Sequence, residues 1–368
     1  MFLTNLGSQF NYVRVFSNLF NTRRLLSLLC SLPLEYFLNL KLTSFPLCIN
    51  LLVTMRCNAN CKMCFFKLNK DHDYEELNLN EIRKMLEKVK HRRPTIFIGG
   101  GEPFLREDIL EIIELIHFYK LKCGMVTNGT LLSDEKIEKL MRLQIDSLIF
   151  SLHGPALVHD SITQNKGGFE RLIDTIEVTS KNKKKTKLIL NCVINPDNYL
   201  FIEEVVEIAQ KVNVDLVRFE HLVFMTKSEL KKNDEIINKK FPHLNFRFST
   251  HKYELENRID TEKFTHLIRK VKKKYGSFVI FKPLLNDVEL KKWYSSDLCS
   301  FRRCFFLWHS IFVLPNGNVI PCQFLQDYIL GNLLVDDLEA IWQGDRLNKL
   351  RQIIRKQPLP GCSRCCKL

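Results

Sequence analysis

Residues 55–66 read Met-Arg-Cys-Asn-Ala-Asn-Cys-Lys-Met-Cys-Phe-Phe, which places Cys57, Cys61 and Cys64 on one short loop. Three thiolates this close together suit a cluster of several iron atoms better than a single zinc ion. Structural zinc takes four protein ligands, and no nearby Cys or His supplies a fourth. Thiolates are the normal ligands of a [4Fe–4S] cluster. The loop therefore predicts an iron-sulfur site with one iron open to a small molecule.

The loop follows the first of six apolar runs that alternate with amphipathic stretches as far as about residue 225. Short apolar runs are typical of buried parallel strands, here residues 48–55, 95–98, 122–127, 147–152, 187–194 and 215–219. The stretches between them predict helices over 80–89, 106–119, 133–143, 169–180 and 200–212. Strand and helix repeated in this way predict a parallel sheet with its chemistry at the carboxyl ends of the strands.

Three more motifs follow predicted strands. Gly99-Gly100-Gly101-Glu102-Pro103 comes after the second strand, and Thr127-Asn128-Gly129-Thr130 after the third. Ser151-Leu152-His153-Gly154-Pro155 comes after the fourth. Small residues let the backbone approach a ligand closely, and a carboxylate or carbonyl oxygen can accept a hydrogen bond from an ammonium group. The motifs are thus expected at one edge of the sheet, beside the cysteine loop.

In this order, the four motifs resemble those of the radical S-adenosylmethionine (radical SAM) superfamily. The resemblance implies an α/β fold with a partial (β/α)6 barrel and a [4Fe–4S] cluster on Cys57, Cys61 and Cys64. It also implies that SAM is bound by residues of the glycine, TNG and serine elements. These residues are Gly100, Gly101, Glu102, Pro103, Thr127, Asn128 and Ser151.

Two positions depart from the family's pattern. His153 stands where an Asp is common, and Thr163 stands where many peptide-modifying members have an Arg. These departures leave the prediction of SAM binding intact but weaken the assignment to a subgroup. No catalytic side chain is identified. Glu220 and His221 are candidates for substrate contact or proton removal, and Asn191 is a candidate for contact with SAM. The alternative is that these are ordinary polar residues of the strands.

A second group of cysteines lies near the carboxyl terminus. Residues 313–320 predict a hairpin, because apolar residues flank an Asn-Gly turn, and this hairpin would present Cys322. Two separated cysteines and a Cys-x2-Cys motif make a four-thiolate site plausible. The group consists of Cys299, Cys304, Cys322, Cys362, Cys365 and Cys366.

The phrases at 315–322, 331–333 and 340–342 resemble the auxiliary-cluster domains of radical SAM enzymes, the SPASM type and its shortened twitch form. The resemblance implies a second, auxiliary [4Fe–4S] cluster. We assign its ligands as Cys304, Cys322, Cys362 and Cys365, with Cys299 as an alternative ligand and Cys366 as spare. A four-cysteine zinc site is the competing interpretation, because thiolates alone do not separate the two metals.

Four regions are predicted along the chain. Residues 1–47 form an N-terminal amphipathic helical extension that either caps the main domain or contacts a membrane surface or the substrate. Residues 48–225 form the radical SAM partial barrel, 226–298 a helical linker region, and 299–368 a small cysteine-rich SPASM/twitch-like domain.

The composition of the chain limits the kinds of binding partner and the compartment that are expected. The chain of 368 residues has 55 Lys and Arg against 41 Asp and Glu, a formal charge of +14. Basic runs without interleaved aromatic residues favour a solvated surface, so no nucleic acid partner is expected. No apolar run is long enough for a transmembrane helix. Thirteen cysteines without a convincing signal peptide predict a cytoplasmic protein with reduced thiols.

The resemblance implies a radical SAM oxidoreductase or transferase-type enzyme. Reductive cleavage of SAM at the first cluster gives a 5′-deoxyadenosyl radical, which abstracts hydrogen from a substrate. The substrate is predicted to be a peptide or protein that is oxidised with help from the auxiliary cluster, and a small molecule, sugar or lipid precursor is the alternative. The electron donor would be a protein such as a flavodoxin or ferredoxin. A non-catalytic iron-sulfur or zinc scaffold is the competing hypothesis from another class.

Overall fold

The structure is a computed structural model, and it describes residues 45–68, 74–241, 251–252, 259–295 and 303–367. The predicted N-terminal helical extension lies almost entirely outside the described residues, as does Cys299.

The described strands all belong to one large sheet except for one short pair. They are β1 (Cys48–Thr54), β2 (Thr95–Gly100), β3 (Cys123–Thr127), β4 (Ser147–Ser151), β5 (Lys187–Ile194), β6 (Leu216–His221), β7 (Phe224–Met225), β8 (His251–Lys252), β9 (Val279–Lys282), β10 (Ser310–Val313), β11 (Asn318–Ile320) and β12 (Gly331–Asn332).

The described helices alternate with the parallel strands and then complete the carboxyl-terminal region. They are α1 (Leu79–Val89), α2 (Ile109–Phe118), α3 (Asp134–Leu143), α4 (Ala156–Thr163), α5 (Gly168–Asn182), α6 (Ile202–Lys211), α7 (Lys227–Lys240), α8 (Thr261–Tyr275), α9 (Asp287–Ser295), α10 (Leu338–Gln343) and α11 (Asp345–Lys356).

The sheet has the order β12-β11-β10-β1-β2-β3-β4-β5-β6-β9. Strands β1 to β6 are parallel neighbours in chain order, which confirms the predicted partial barrel. Strand β10 pairs in parallel with the outer edge of β1, and β11 and β12 continue from it as an antiparallel hairpin extension. The cysteine-rich region is therefore joined to the barrel through a continuous sheet.

The region between the barrel and the cysteine-rich domain differs from the predicted linker. Strand β9 pairs in parallel with β6 and adds a seventh parallel strand to the six-strand barrel. Phe264 and Val271 of α8 are buried in the main hydrophobic core. The lysines of this region lie on the faces of α7 and α8 that are exposed to solvent.

Local signals explain most helix starts. Asn78 and Glu81 form a reciprocal capping box at the start of α1, and Thr226 and Glu229 form another at α7. Ser133 caps α3. Helix α2 begins three residues later than predicted, because residues 103–105 form a separate turn and Arg106 is extended.

The two faces of the barrel strands have different surroundings. Leu148, Leu190 and Val217 face outward and pack with helix residues in the main core. Ile149, Ile189, Leu216 and Ile280 alternate with that outward set and form a separate cluster on the inner face. This small cluster fills the lower part of the barrel lumen, so the space above it lies at the carboxyl ends of the strands.

No helix in the described part of the chain is both long and apolar enough to cross a lipid bilayer.

Candidate active site

The cysteine loop follows β1 at the carboxyl edge of the barrel. Cys57 is exposed, whereas Cys61 and Cys64 are half-buried. The Asn60 backbone N–H donates to the carbonyl of Thr163 over 2.9 Å, and the Lys62 N–H donates to the carbonyl of Ile162 over 2.9 Å. The loop is thus held from one side by the end of α4, and Thr163 contributes a backbone carbonyl to it.

The other side of the loop is held by the turn after β3. Asn58 Nδ2 donates to Thr130 Oγ1 over 2.9 Å, and Asn128 Nδ2 donates to Asn58 Oδ1 over 2.8 Å. The structure therefore brings together two motifs that lie about seventy residues apart in the chain. Asn128 supports the cysteine loop directly, in addition to the contact with SAM that the sequence predicts.

The glycine motif brings two backbones into close approach. Gly101 N–H donates to the Thr54 carbonyl, and Glu102 N–H donates to the Arg56 carbonyl, both over 2.8 Å. A Cβ atom on Gly101 would lie 1.9 Å from the Arg56 carbonyl oxygen. Gly100 has a φ of +123°, which favours glycine. Because these glycines lie directly against the backbone of residues 54–56, they position the start of the cysteine loop.

We expect Gly101→Ala to lower the free energy of unfolding by about 2–4 kcal/mol and to reduce the iron bound at the cysteine loop. The added methyl group cannot fit beside the Arg56 carbonyl without moving backbone. Gly99→Ala is the matched control, because its Cβ would meet only side-chain atoms at 3.5 and 3.7 Å. Urea unfolding and iron analysis measure both effects. Equal losses in the two variants would contradict this interpretation.

Glu102 is buried and accepts three hydrogen bonds. The donors are Thr127 Oγ1 at 2.7 Å, the Asn128 N–H at 2.7 Å and the Phe104 N–H at 3.2 Å. Burial raises the pKa of the Glu102 carboxyl to about 7, although these donors oppose the shift. Both carboxylate oxygens thus accept hydrogen bonds from neighbouring residues of the protein. The observed role of this side chain is to fix the turn at Thr127 and Asn128.

The elevated pKa of Glu102 predicts a pH-dependent stability. Because the folded-state pKa lies above the ordinary value, folding favours the neutral form, and this contribution is lost as the pH rises through about 7. The stability of the wild type relative to Glu102→Gln should therefore fall by up to about 3 kcal/mol between pH ~5 and pH ~8. Urea unfolding of both proteins across this range measures the difference. A relative stability that rises with pH would contradict the prediction.

The serine element occupies the end of β4. Ser151 is partly exposed there, and its hydroxyl makes no side-chain hydrogen bond within the described residues. His153 is buried, and burial lowers its pKa to about 3. The neutral ring accepts a hydrogen bond at Nδ1 from the Val193 N–H over 3.3 Å. The imidazole thus serves as an acceptor, which a carboxylate at this position could also be.

The candidates on β5 and β6 separate into two groups. Asn191 and Glu220 lie on the inner face, whereas His221 is buried on the outer face with its Nδ1 atom 2.9 Å from Tyr294 Oη. His221 also packs against the Trp293 ring and is a core histidine. Sequence reasoning missed Arg218, whose Nε donates to Asn191 Oδ1 over 2.7 Å. The sequence does contain a signal for Arg218, because Arg218 and Glu220 lie two positions apart on β6 and therefore share one face of the strand.

The carboxyl-terminal thiols surround one pocket. Cys304, Cys322, Cys362 and Cys365 line it together with apolar side chains such as Phe306 and Phe324. Cys366 is buried outside this lining, with its Sγ atom 4.0 Å from Gln323 Nε2. The pocket contains the four residues that the sequence analysis assigns to the auxiliary cluster.

The Cys-x2-Cys motif packs against the predicted linker region, residues 226–298. Arg364 is 1% exposed and forms an ion pair with Glu229 of α7. Arg364 Nε donates to the Trp293 carbonyl over 2.7 Å, and the Gly361 N–H donates to Asn233 Oδ1 over 3.1 Å. Helices α7 and α9 thereby fix the position of this motif relative to the barrel.

The arrangement of thiols fits iron-sulfur clusters. Within the described ranges, no three Cys, His, Asp or Glu side chains are placed to hold a single metal ion. In a [4Fe–4S] cluster each thiolate binds a different iron, so thiols spread around a cavity suit it. A zinc site requires its ligands to converge on one point. The donor set of Cys304, Cys322, Cys362 and Cys365, gathered around one pocket, fits a [4Fe–4S] cluster.

Comparison with known families agrees with this geometry. Residues 51–212 match the model of the radical SAM superfamily, and residues 304–366 match that of SPASM, an iron-sulfur cluster-binding domain. The chain belongs to the radical SAM superfamily. It is a radical SAM enzyme with a carboxyl-terminal SPASM domain, and its cofactors are SAM and [4Fe–4S] clusters.

Several curated proteins are similar in sequence. An AdoMet-dependent heme synthase of Methanosarcina barkeri is 25% identical over 84% of this chain and 86% of its own length. The Fe-coproporphyrin III synthase of the same organism is 25% identical over 50% of this chain, which spans less than half (46%) of that protein. The sporulation killing factor maturation protein SkfB of Bacillus subtilis is 23% identical over 83% of this chain and 67% of its own length.

Two solved structures share the fold. Streptococcus suis SuiB bound to precursor peptide SuiA superposes with a TM-score of 0.60 at 17% identity, covering 84% of this chain and 67% of SuiB. The enzyme anSMEcpe with bound AdoMet gives a TM-score of 0.59 at 18% identity, covering 82% of both chains.

Proposed function

We propose that this enzyme oxidises a peptide or protein side chain held in the barrel lumen, after reductive cleavage of SAM at the cluster of Cys57, Cys61 and Cys64. The main observation in support of this proposal is that the pocket lined by the four carboxyl-terminal cysteines, here called the auxiliary pocket, adjoins the lumen. Lys367 lines that pocket with Cys365, and its charge also acts on Glu220, which lies on the inner face of β6. An electron acceptor in the pocket would therefore stand beside the substrate.

Each motif has a proposed role. The cysteine loop holds the first cluster and is positioned by Gly100, Gly101 and Asn128. Backbone groups of residues 100–103, together with the Thr127 and Asn128 turn, line the SAM site, and Ser151 offers its hydroxyl to SAM. When bound, the cluster and SAM supply a 5′-deoxyadenosyl radical that abstracts a hydrogen atom from the substrate.

The proposed net reaction is a two-electron oxidation. The substrate loses one hydrogen atom, and it then releases one electron towards the auxiliary pocket and one proton to a base or to water. A reduced protein such as a flavodoxin or ferredoxin supplies the electron that SAM cleavage consumes. The apolar lining of the pocket, including Phe306 and Leu307, would keep water away from this electron path.

Two relatives support a peptide substrate. SkfB is named as the maturation protein of a killing factor and aligns with most of this chain. The fold is shared with SuiB, which was solved with a precursor peptide.

A tetrapyrrole or another small molecule is the second candidate. The observation in its favour is that a heme synthase aligns over 84% of this chain and 86% of its own length.

The two candidates can be separated by the yield of 5′-deoxyadenosine. The reconstituted enzyme is incubated without oxygen with SAM and dithionite, then with short peptides that together present every natural side chain, or with Fe-coproporphyrin III. We expect at least one peptide to raise the yield above the substrate-free level and to lose two hydrogen atoms by mass spectrometry. A rise with the tetrapyrrole alone, or with neither probe, would contradict the peptide assignment.

A further inference from the structure

His159 of α4 connects two parts of the proposed SAM site. Its Nδ1 atom accepts a hydrogen bond from the His153 N–H over 3.2 Å, and His153 lies two positions after Ser151. His159 is 2% exposed, so this hydrogen bond is shielded from water. Because Nδ1 is an acceptor here, the proton of the neutral ring lies on Nε2. The serine element is therefore attached to α4 through this imidazole nitrogen.

The carboxyl end of α4 holds the cysteine loop. Thr163 Oγ1 donates to the His159 carbonyl over 2.9 Å, so the last turn of the helix is braced by its own side chain. The Thr163 carbonyl accepts a hydrogen bond from the N–H of Asn60, which lies between Cys57 and Cys61. A continuous path of contacts thus runs from the serine element through α4 to the cysteine loop.

The orientation of the His159 ring is fixed by its neighbours. The ring stacks on the His153 ring, with centroids 5.9 Å apart and an interplanar angle of 14°. Phe169 makes a T-shaped contact with it at 6.1 Å. Burial lowers the pKa of His153 to about 3 and that of His159 to about 4, so both rings are neutral. A neutral ring held in this way keeps Nδ1 directed at the His153 N–H.

We propose that His159 is a positioning residue for SAM binding, because its ring sets the separation between the serine element and the cysteine loop. The inference rests on the proposed function, in which SAM binds both the open iron of the first cluster and the Ser151 hydroxyl. A ligand that bridges two elements binds tightly only where the protein holds them at the matching separation.

Loss of the Nδ1 acceptor has a defined consequence for the site. The buried His153 N–H would lack a partner, which is costly, and the serine element would shift relative to α4 to find one. The backbone contacts of Asn60 and Lys62 with the end of α4 do not involve the imidazole. The first cluster should therefore still assemble, while its affinity for SAM falls.

Two polar variants of His159 test this inference without any substrate. Asn places its side-chain oxygen near the position of the imidazole Nδ1, whereas Gln places it near that of Nε2. We expect His159→Asn to keep the affinity for SAM within about threefold of the wild type, and His159→Gln to weaken it about tenfold. Both variants should bind about eight iron atoms per chain. The change in the electron paramagnetic resonance spectrum of the reduced enzyme is followed against SAM concentration, and iron is determined in the same samples.

His221→Leu is the matched control, because His221 is also 2% exposed and its ring contacts Tyr294 on the outer face of β6. It should lower the stability of the fold and leave the affinity for SAM unchanged. Equal affinities in His159→Asn and His159→Gln, an equal loss in His221→Leu, or loss of four irons in His159→Gln would each overturn the inference. A wild-type spectrum that does not respond to SAM would instead overturn the proposed function, and this inference with it.

Discussion

The triple variant Cys57→Ala, Cys61→Ala and Cys64→Ala is expected to bind about four iron atoms per chain instead of about eight, because each [4Fe–4S] cluster contains four irons. It is also expected to yield no 5′-deoxyadenosine from SAM under reductant. The loop lies at the barrel surface, with Cys57 exposed and the other two cysteines half-buried. Removing these thiols therefore leaves the core intact.

Iron and sulfide analysis after anaerobic reconstitution measures the first effect, and chromatography of the reaction mixture measures the second. Cys366→Ala is the matched control and should keep about eight irons, since Cys366 lies outside the pocket lined by the four assigned ligands. Retention of full iron by the triple variant, or loss of four irons by Cys366→Ala, would contradict the ligand assignment.

Replacing Arg364 by Met is expected to destabilise the protein by about 3–5 kcal/mol, because it leaves the carboxylate of Glu229 buried without its cation. Arg364 and Glu229 are both almost fully buried. The variant should also lose the auxiliary cluster, since Arg364 stands between Cys362 and Cys365 and anchors their motif to α7 and α9.

Urea unfolding and iron analysis measure these two losses. Arg142→Met is the matched control, because Arg142 pairs with Glu138 on an exposed helix face and contributes at most about 0.5 kcal/mol. Adding Glu229→Gln to Arg364→Met should recover part of the loss, since the amide removes the uncompensated charge and keeps the capping bond from the Thr226 N–H. A double variant less stable than Arg364→Met would refute the ion-pair explanation.

The auxiliary domain and the barrel depend on each other in this fold. Strand β10 covers the edge of β1, the strand that leads into the cysteine loop. At the opposite end of the sheet, β9 covers β6. Both edges of the six-strand barrel are thus paired, and β12 and β9 become the outermost strands of the sheet. A substitution that disrupts the carboxyl-terminal region should therefore also disturb the SAM site, because β10 pairs with β1.

The sequence by itself determined the six-strand barrel, the hairpin and the four motifs at the strand ends. It could do so because these features depend on local patterns: apolar runs, helix caps such as Ser133, and an Asn-Gly turn. The cysteine assignments rest on spacing together with the resemblance to a known family. The pocket in the structure gathers the four assigned carboxyl-terminal cysteines.

Only the tertiary structure decided what the polar residues at these ends contact. Glu102 turns inward to three donors, His221 faces the core, and Arg218 faces the lumen, although all three lie at or near the ends of strands. The ion pair of Arg364 with Glu229 joins residues 135 positions apart. Spacing along a chain carries no information about such partners, because they are brought together by strand pairing and helix packing.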